Sequence, residues 1–254
     1  AVNATLANRL VVVGTTLSGN AINLSGATYN YAGNTTFSGT TQSGAGIYVG
    51  AAQTINVTTG TAVWTGLSTG SGTGILIKNS MNLAATTGSF TGTGISNGSG
   101  RGMELNSGNW AQSSNVSFFN NSQANGGGIA LALTGGILPA SLGSIGVATT
   151  NGTAIYLNGN VSFSGAISLY GNATTGVGVA VTNFDSRDST LNVFGSATGA
   201  GGKGITLNGT VSANGTGQFG NYTGYSASGT GIDISNINLT LGSGTVNLNG
   251  NSSS

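Results

Sequence analysis

Gly44-Ala45-Gly46-Ile47-Tyr48-Val49, Gly72-Thr73-Gly74-Ile75-Leu76-Ile77 and Gly100-Arg101-Gly102-Met103-Glu104-Leu105 are three copies of one phrase. It runs small residue, any residue, Gly or Ala, aliphatic, any residue, aliphatic. Upstream it reads Gly19-Asn20-Ala21-Ile22-Asn23-Leu24. Downstream it begins at Gly126, Gly152, Gly176, Gly202 and Gly229. The small residue before the first aliphatic falls at 21, 46, 74, 102, 128, 154, 178, 204 and 231, at intervals of 24 to 28 residues. Nine copies at so steady a spacing mark a solenoid, in which each repeat buries its apolar face by stacking on its neighbours.

Within the phrase, aliphatics alternate with a variable residue, the period of a strand with one buried face. One inward column is therefore expected from Ile22, Ile47, Ile75, Met103, Ile129, Ile155, Val179, Ile205 and Ile232. The outward residues between the aliphatics are Asn23, Tyr48, Leu76, Glu104, Ala130, Tyr156, Ala180, Thr206 and Asp233. Shorter strand-like pieces follow most copies: Ile55-Asn56-Val57, Val63-Trp64, Val161-Ser162-Phe163, Ile167-Ser168-Leu169, Leu191 to Phe194, Ile237 to Leu241 and Val246-Asn247-Leu248. Ser25-Gly26, Ser38-Gly39, Asn158-Gly159, Asn208-Gly209 and Asn214-Gly215 read as turns, because Gly and Asn accept the left-handed backbone of a sharp corner.

Three short strands and three corners in about 26 residues describe one coil of a parallel β-helix. With 48 Gly and no apolar repeat near 3.6, α-helix is a poor alternative. The fold class expected is all-β: a right-handed parallel β-helix of about nine coils, forming one segment over residues 1–254 and about 40 Å long at the strand spacing. The left-handed hexapeptide form would show a six-residue period, which the chain lacks. Phe37, Phe90, Phe118 and Phe163 are expected to fill the core. The only proline, Pro139, lies in Thr134 to Gly143 and belongs at a corner or bulge, where Ile137, Leu138 and Ala140 would widen the loop.

Nine residues are formally charged and the net charge is +1. No basic stripe exists, so nucleic acid and anionic membrane are not expected partners. Surfaces of Asn, Ser and Thr approach one another without charge repulsion, which suits packing side by side, end to end or against carbohydrate. There is no cysteine, so stability must come from ladder and core. Nothing reads as a signal peptide or membrane span; the longest apolar run, Leu10 to Val13, is too short. Neither terminus resembles a solenoid cap, so the segment is expected to belong to a longer rod or to be a subunit that stacks end to end.

The chain is not expected to be an enzyme, and no catalytic, cofactor or metal residue is assigned. Glycan-cleaving sites need clustered acids. Here the one cluster is Asp185-Ser186-Arg187-Asp188, which reads as a solvated corner with a local ion pair. Glu104 and Asp233 share the outward column but stand about five coils, roughly 24 Å, apart. Gly229-Thr230-Gly231-Ile232-Asp233 only echoes a calcium-binding repeat, and one carboxylate cannot build an oxygen cage. An ice-binding face would need a threonine ladder, and the outward column is not one. Sequons at Asn34, Asn56, Asn115, Asn160, Asn172, Asn208, Asn214 and Asn238 are candidate modification sites. Tyr48, Tyr156, Tyr222 and Tyr225 are candidate rings for stacking on sugars.

The Gly-x-Gly-Ile-x-Leu phrases, with Phe37-Ser38-Gly39, Phe163-Ser164-Gly165 and Phe194-Gly195 between them, resemble the β-helical stems of bacterial surface exoproteins. The nearest group is the filamentous-haemagglutinin-like adhesins of two-partner secretion; autotransporter passenger stems are similar. The resemblance covers essentially the whole chain. It implies an extracellular, cell-surface location and a role as an adhesin or stalk in a bacterial fibre, with host or bacterial surface carbohydrate or protein as partners. A carbohydrate-binding or carbohydrate-active β-helix is the alternative, and an ice-binding protein a lower one.

Overall fold

The computed structural model describes residues 9–253 apart from 26, 86, 107, 109, 113–115, 118–121, 139–144, 150–151, 160, 164–165, 186–189, 214–218 and 242–244. Its described elements are all strands and its pairings all parallel, so the chain is a β-solenoid. Each of the first three coils carries three strands. The first has Arg9–Ser18, Ile22–Leu24 and Ala27–Tyr31; the second Asn34–Ser43, Ala45–Val49 and Gln53–Val57; the third Thr61–Ser68, Thr73–Ile77 and Met81–Ala85. In these coils every strand pairs with its counterpart in the adjacent coil, which creates three faces. Further along, the third-face pairing is divided, Ala27–Tyr31 to Trp110–Gln112 forming one sheet and Gly136–Leu138 with Val161–Phe163 another. Towards the C-terminus strand pairing carries on around the corners, with register shifts there, so that Leu191–Ala213 and Phe219–Leu241 each pass through all three faces.

The second face carries the repeated phrase, and its register confirms the inward column with one correction. Ile22 pairs with Ile47, then Ile75, Met103, Leu131, Ile155, Val179, Ile205 and Ile232 follow. Leu131, not Ile129, occupies the fifth layer, and Ala132, not Ala130, is its outward residue. The stretch Gly126 to Leu133 satisfies the phrase twice, two residues apart, so strand parity could not separate the two readings. Stacking does. The adopted register buries both Leu131 and Leu133, leaves Ile129 half-buried at the corner, and sets Gly128 against the Gly100 backbone.

A second correction concerns Ser38-Gly39, which is mid-strand and not a turn. Gly39 belongs to an inward column on the first face: Gly14, Gly39, Gly66 and Gly94, then Gly171, Gly195, Gly224 and Gly250. Each of these glycines except Gly250 faces the small residue of the repeated phrase. A Cβ on Gly14, Gly39, Gly66, Gly94, Gly171, Gly195 or Gly224 would collide with the carbonyl oxygen of Ala21, Gly46, Gly74, Gly102, Gly178, Gly204 or Gly231 respectively. The reverse approach is also too close; a Cβ on Gly102 would stand 2.7 Å from the Gly94 carbonyl oxygen. The two faces therefore meet backbone to backbone near this corner, a separation only glycine permits. In the two intervening layers the second face has Ala130 and Ala154, and the first face has Ser122 and Val147 at the matching level.

Corners between the second and third faces obey the other glycine rule. Gly159, Asn183, Gly209 and Asn236 succeed one another at that corner, all with positive φ of 49 to 79°. Asn is the residue that best shares this conformation with Gly. The Asn183 Oδ1 also accepts the Thr210 N–H at 3.1 Å, tying one coil's corner to the next.

Away from the pinch the interior widens and takes large side chains. Phe37 packs on Trp64 with ring centroids 5.7 Å apart, and Trp64 on Phe90 edge-on at 5.3 Å. Tyr31 extends this run at 6.2 Å from Phe37. Ile55, Val57, Met81 and Leu83 close the third face around them. Ile137 and Leu138, expected in a loop with Pro139, belong instead to a strand, Gly136–Leu138, paired with Val161–Phe163. Phe118, Pro139 and Ala140 lie outside the described residues, as does the Phe163 side chain.

Two outcomes test this packing. Gly66→Val drives a branched side chain into the Gly74 backbone and is expected to cost about 3 kcal/mol or more, or to prevent folding. The outward neighbour Thr65→Val should stay within about 0.5 kcal/mol. Chemical unfolding midpoints check both. The corrected register is tested by Leu133→Ala, expected to cost about 2–5 kcal/mol, against Ile129→Ala, expected to cost clearly less because its side chain is already half-exposed. The reverse order of the two midpoints would favour the rejected register.

Candidate functional surfaces

The outward side chains of a solenoid stand in columns at one strand spacing, about 4.8 Å. Stacked pairs therefore hydrogen-bond from coil to coil. Asn56 Nδ2 donates to Asn30 Oδ1 at 2.8 Å, and Asn125 Nδ2 to Asn97 Oδ1 at 3.0 Å. The longest such ladder lies on the first face. Asn247 donates to Asn221 at 2.8 Å, Asn221 to Asn192 at 2.8 Å, and Asn192 to the Ser168 hydroxyl at 3.4 Å. Corner threonines do the same to backbone: the Thr58 and Thr134 hydroxyls donate to the Tyr31 and Leu105 carbonyls of the preceding coil at 3.0 and 3.1 Å.

The first face has two outward halves of different chemistry. From Arg9 to Ser96 its columns are Val11-Thr36-Val63-Thr91, Val13-Ser38-Thr65-Thr93 and Thr15-Thr40-Leu67-Ile95. These are mostly β-branched, and no column is uniformly threonine. From Ile167 to Ser252 the columns are Ser168-Asn192-Asn221-Asn247, Tyr170-Phe194-Thr223-Asn249 and Asn172-Ser196-Tyr225-Asn251. Here the Tyr170 and Phe194 rings stack, with centroids 4.7 Å apart and planes 7° from parallel. Both are half-buried, and Tyr225 beside them is 38% exposed.

The residues singled out in the sequence fall as follows. Tyr48 and Tyr156 are half-exposed on the second face, on separate layers of its outward column. Tyr222 is buried, not a surface ring: it points inward beside Val193 and Leu248, because alternation places Asn221 and Thr223 outside. Tyr170 and Phe194 are not among the sugar-stacking candidates read from the sequence, since alternation alone does not show that two rings 24 residues apart meet. Their register opposite one another is the signal that finds them. Glu104 pairs with Arg101 on its own strand, and Asp233 with Lys203 one coil away, so the two acids serve separate ion pairs. The Asp185 side chain and residues 186–189 lie outside the described residues.

Among the sequons, Asn34, Asn172, Asn208 and Asn238 are exposed, while Asn56 is half-buried within its ladder. Asn115, Asn160 and Asn214 lie outside the described residues. A shallow hollow at one corner is lined by Gly60, Thr61, Thr87, Gly88 and Ser89 and has no ionisable group. Among the described residues no cluster of His, Cys, Asp or Glu could hold a metal, and no helix is long and apolar enough to cross a membrane. Comparison with protein-family models, with curated proteins and with solved structures found no match.

The buried phenols are the groups whose titration the fold changes. Burial pushes Tyr222 well above its ordinary range, and burial with the neighbouring Tyr29 does the same to Tyr31. A phenol kept neutral in the fold but ionising near pH 10 when unfolded favours the unfolded chain above that pH. The stability it contributes is present in full below about pH 10 and is lost as pH rises beyond. With no histidine in the chain, the denaturation midpoint is expected to stay level from about pH 6 to 9 and to fall above 10. Tyr222→Phe should make that fall shallower. Tyr31→Phe should do so too, and should hold or raise neutral-pH stability by up to about 1 kcal/mol, because the Tyr31 hydroxyl is buried without a hydrogen-bond partner.

Proposed function

We propose that this chain is a structural and adhesive segment of a bacterial extracellular or cell-surface fibre, and that it is not an enzyme. The single observation that carries the reading is the coil-on-coil pairing that joins all described strands of the first and second faces, from Arg9 to Ser252, into one parallel sheet, in which side-chain ladders and corner hydroxyls are committed to holding one layer to the next. A molecule so built transmits force along its axis through many parallel hydrogen bonds, each contributing about 1 kcal/mol net. The described acids agree with this reading: Glu104 and Asp233 are each engaged with a cation of their own and stand on separate layers, so the two do not form a carboxylate pair of the kind glycan cleavage needs. The resemblance to stems of filamentous-haemagglutinin-like adhesins and autotransporter passengers agrees with it. On this reading the partners are further coils or copies of the same chain, packed end to end or side by side, and carbohydrate or protein on a host or bacterial surface. The low charge makes lateral contact inexpensive in desolvation.

Electron microscopy of the full-length protein tests the reading. The expected image is a thin rod in which this segment accounts for about 40 Å of length. A compact particle, or measurable cleavage of polysaccharide by the purified chain, would overturn it.

A further inference from the structure

We propose that the C-terminal half of the first face binds a neutral polysaccharide, laid along the rod axis over the Tyr170–Phe194 ring pair and the adjoining asparagine ladder. This goes beyond reading the chain as a rod, because it assigns a ligand class to one part of one face.

The chemistry of the patch selects the ligand. Elsewhere on the described first face, outward positions hold mainly Thr, Ser, Val and Asn, with a few aliphatics, Gln42 and, in the first coil, Arg9. Among the described side chains of this face, aromatic rings appear outward only at Tyr170, Phe194 and Tyr225, within three successive layers. The ring stack ends against Gly146 on one side and Thr223 on the other, so neither end is continued by another ring. Such ring faces and edges match the C–H surface of a pyranose.

The flanking columns supply hydrogen bonding. Each amide in Asn192, Asn221 and Asn247 has two N–H donors and two acceptor lone pairs, and the ladder uses one donor of each. The remaining groups repeat along the axis at about 4.8 Å on a rigid sheet, beside Ser196, Thr223 and Asn249. The Tyr225 hydroxyl already bonds the Ser253 hydroxyl at 3.0 Å, which fixes that ring at the patch edge. None of these outward residues is charged, so a sulfated or carboxylated chain finds no counter-charge there. The face presents side chains and not an open strand edge, so it does not suit a peptide that binds by strand addition.

The whole chain is applied to immobilised dextran, mannan and cello-oligosaccharides, with polygalacturonate and hyaluronan as acidic probes. Retention on at least one neutral probe is expected, with none on the acidic ones. Phe194→Ala and Tyr225→Ala should each weaken that binding by about fivefold or more, while Tyr48→Ala on the second face leaves it unchanged. Circular dichroism checks that each variant is folded. If Phe194→Ala is not, Tyr225→Ala decides together with hydrogen exchange on the unmodified chain, where a neutral probe should slow exchange in strands Leu191–Ala213 and Phe219–Leu241. No neutral retention, equal retention on acidic probes, or binding indifferent to both ring variants overturns the proposal. So does self-association in sedimentation that Phe194→Ala abolishes, which would assign the face to a second copy. A failure of this kind leaves the rod reading standing, since that reading is decided by microscopy.

Discussion

Two sheets of this molecule touch through bare backbone, and the rest of the structure is arranged around that contact. Gly39 against Gly46, Gly66 against Gly74, Gly94 against Gly102 and their later equivalents leave no room for a Cβ on either side. Closing one corner this tightly makes the cross-section taper. The interior at the pinch holds nothing, and the space opposite must be filled by Phe37, Trp64, Phe90, Tyr31 and the third-face aliphatics. Glycine is costly in a strand interior, because it gives up more chain entropy on folding than any other residue. Its repeated use there reflects a steric requirement that stronger strand formers cannot meet.

Vertical stacking follows from the same geometry. Once the cross-section is fixed, each residue's principal neighbours are its counterparts one coil away, and like stacks on like. Asparagine donates to asparagine, hydroxyls reach the preceding carbonyl, and aliphatics cover aliphatics. Charge fits this plan badly, since identical charges at one strand spacing repel. The described carboxylates accordingly sit beside cations, Glu104 with Arg101 and Asp233 with Lys203.

With the interior and the axis committed to stability, chemistry is left to the outward positions. There the chain is not uniform. The first face passes from β-branched residues in its early coils to amides and aromatics in its later ones, on an unchanged backbone register. A solenoid can thus carry different surfaces in series without altering its fold.

The repeated phrase by itself determined the fold class, the strand direction and eight of the nine residues in the central column. Inward and outward alternation at constant spacing admits one stacking solution. It failed at Gly126 to Leu133, where the phrase fits twice with the same parity, and only the burial of Leu133 and the stacking of Gly128 on Gly100 chose between them. It also read Gly39 as a turn, since a lone glycine shows its freedom locally while the face it must approach lies seven residues on. The comb of glycines at 14, 39, 66 and 94 was present in the sequence, but its meaning depends on the opposing column. The surface was least legible. Tyr222 looked like an exposed ring and is core, whereas Tyr170 and Phe194 meet only because the structure sets residues 24 apart in the sequence at adjacent levels. Periodicity specifies which side of a strand a residue occupies; which residues it then touches is decided by coil length and corner geometry, and those are properties of the assembled solenoid.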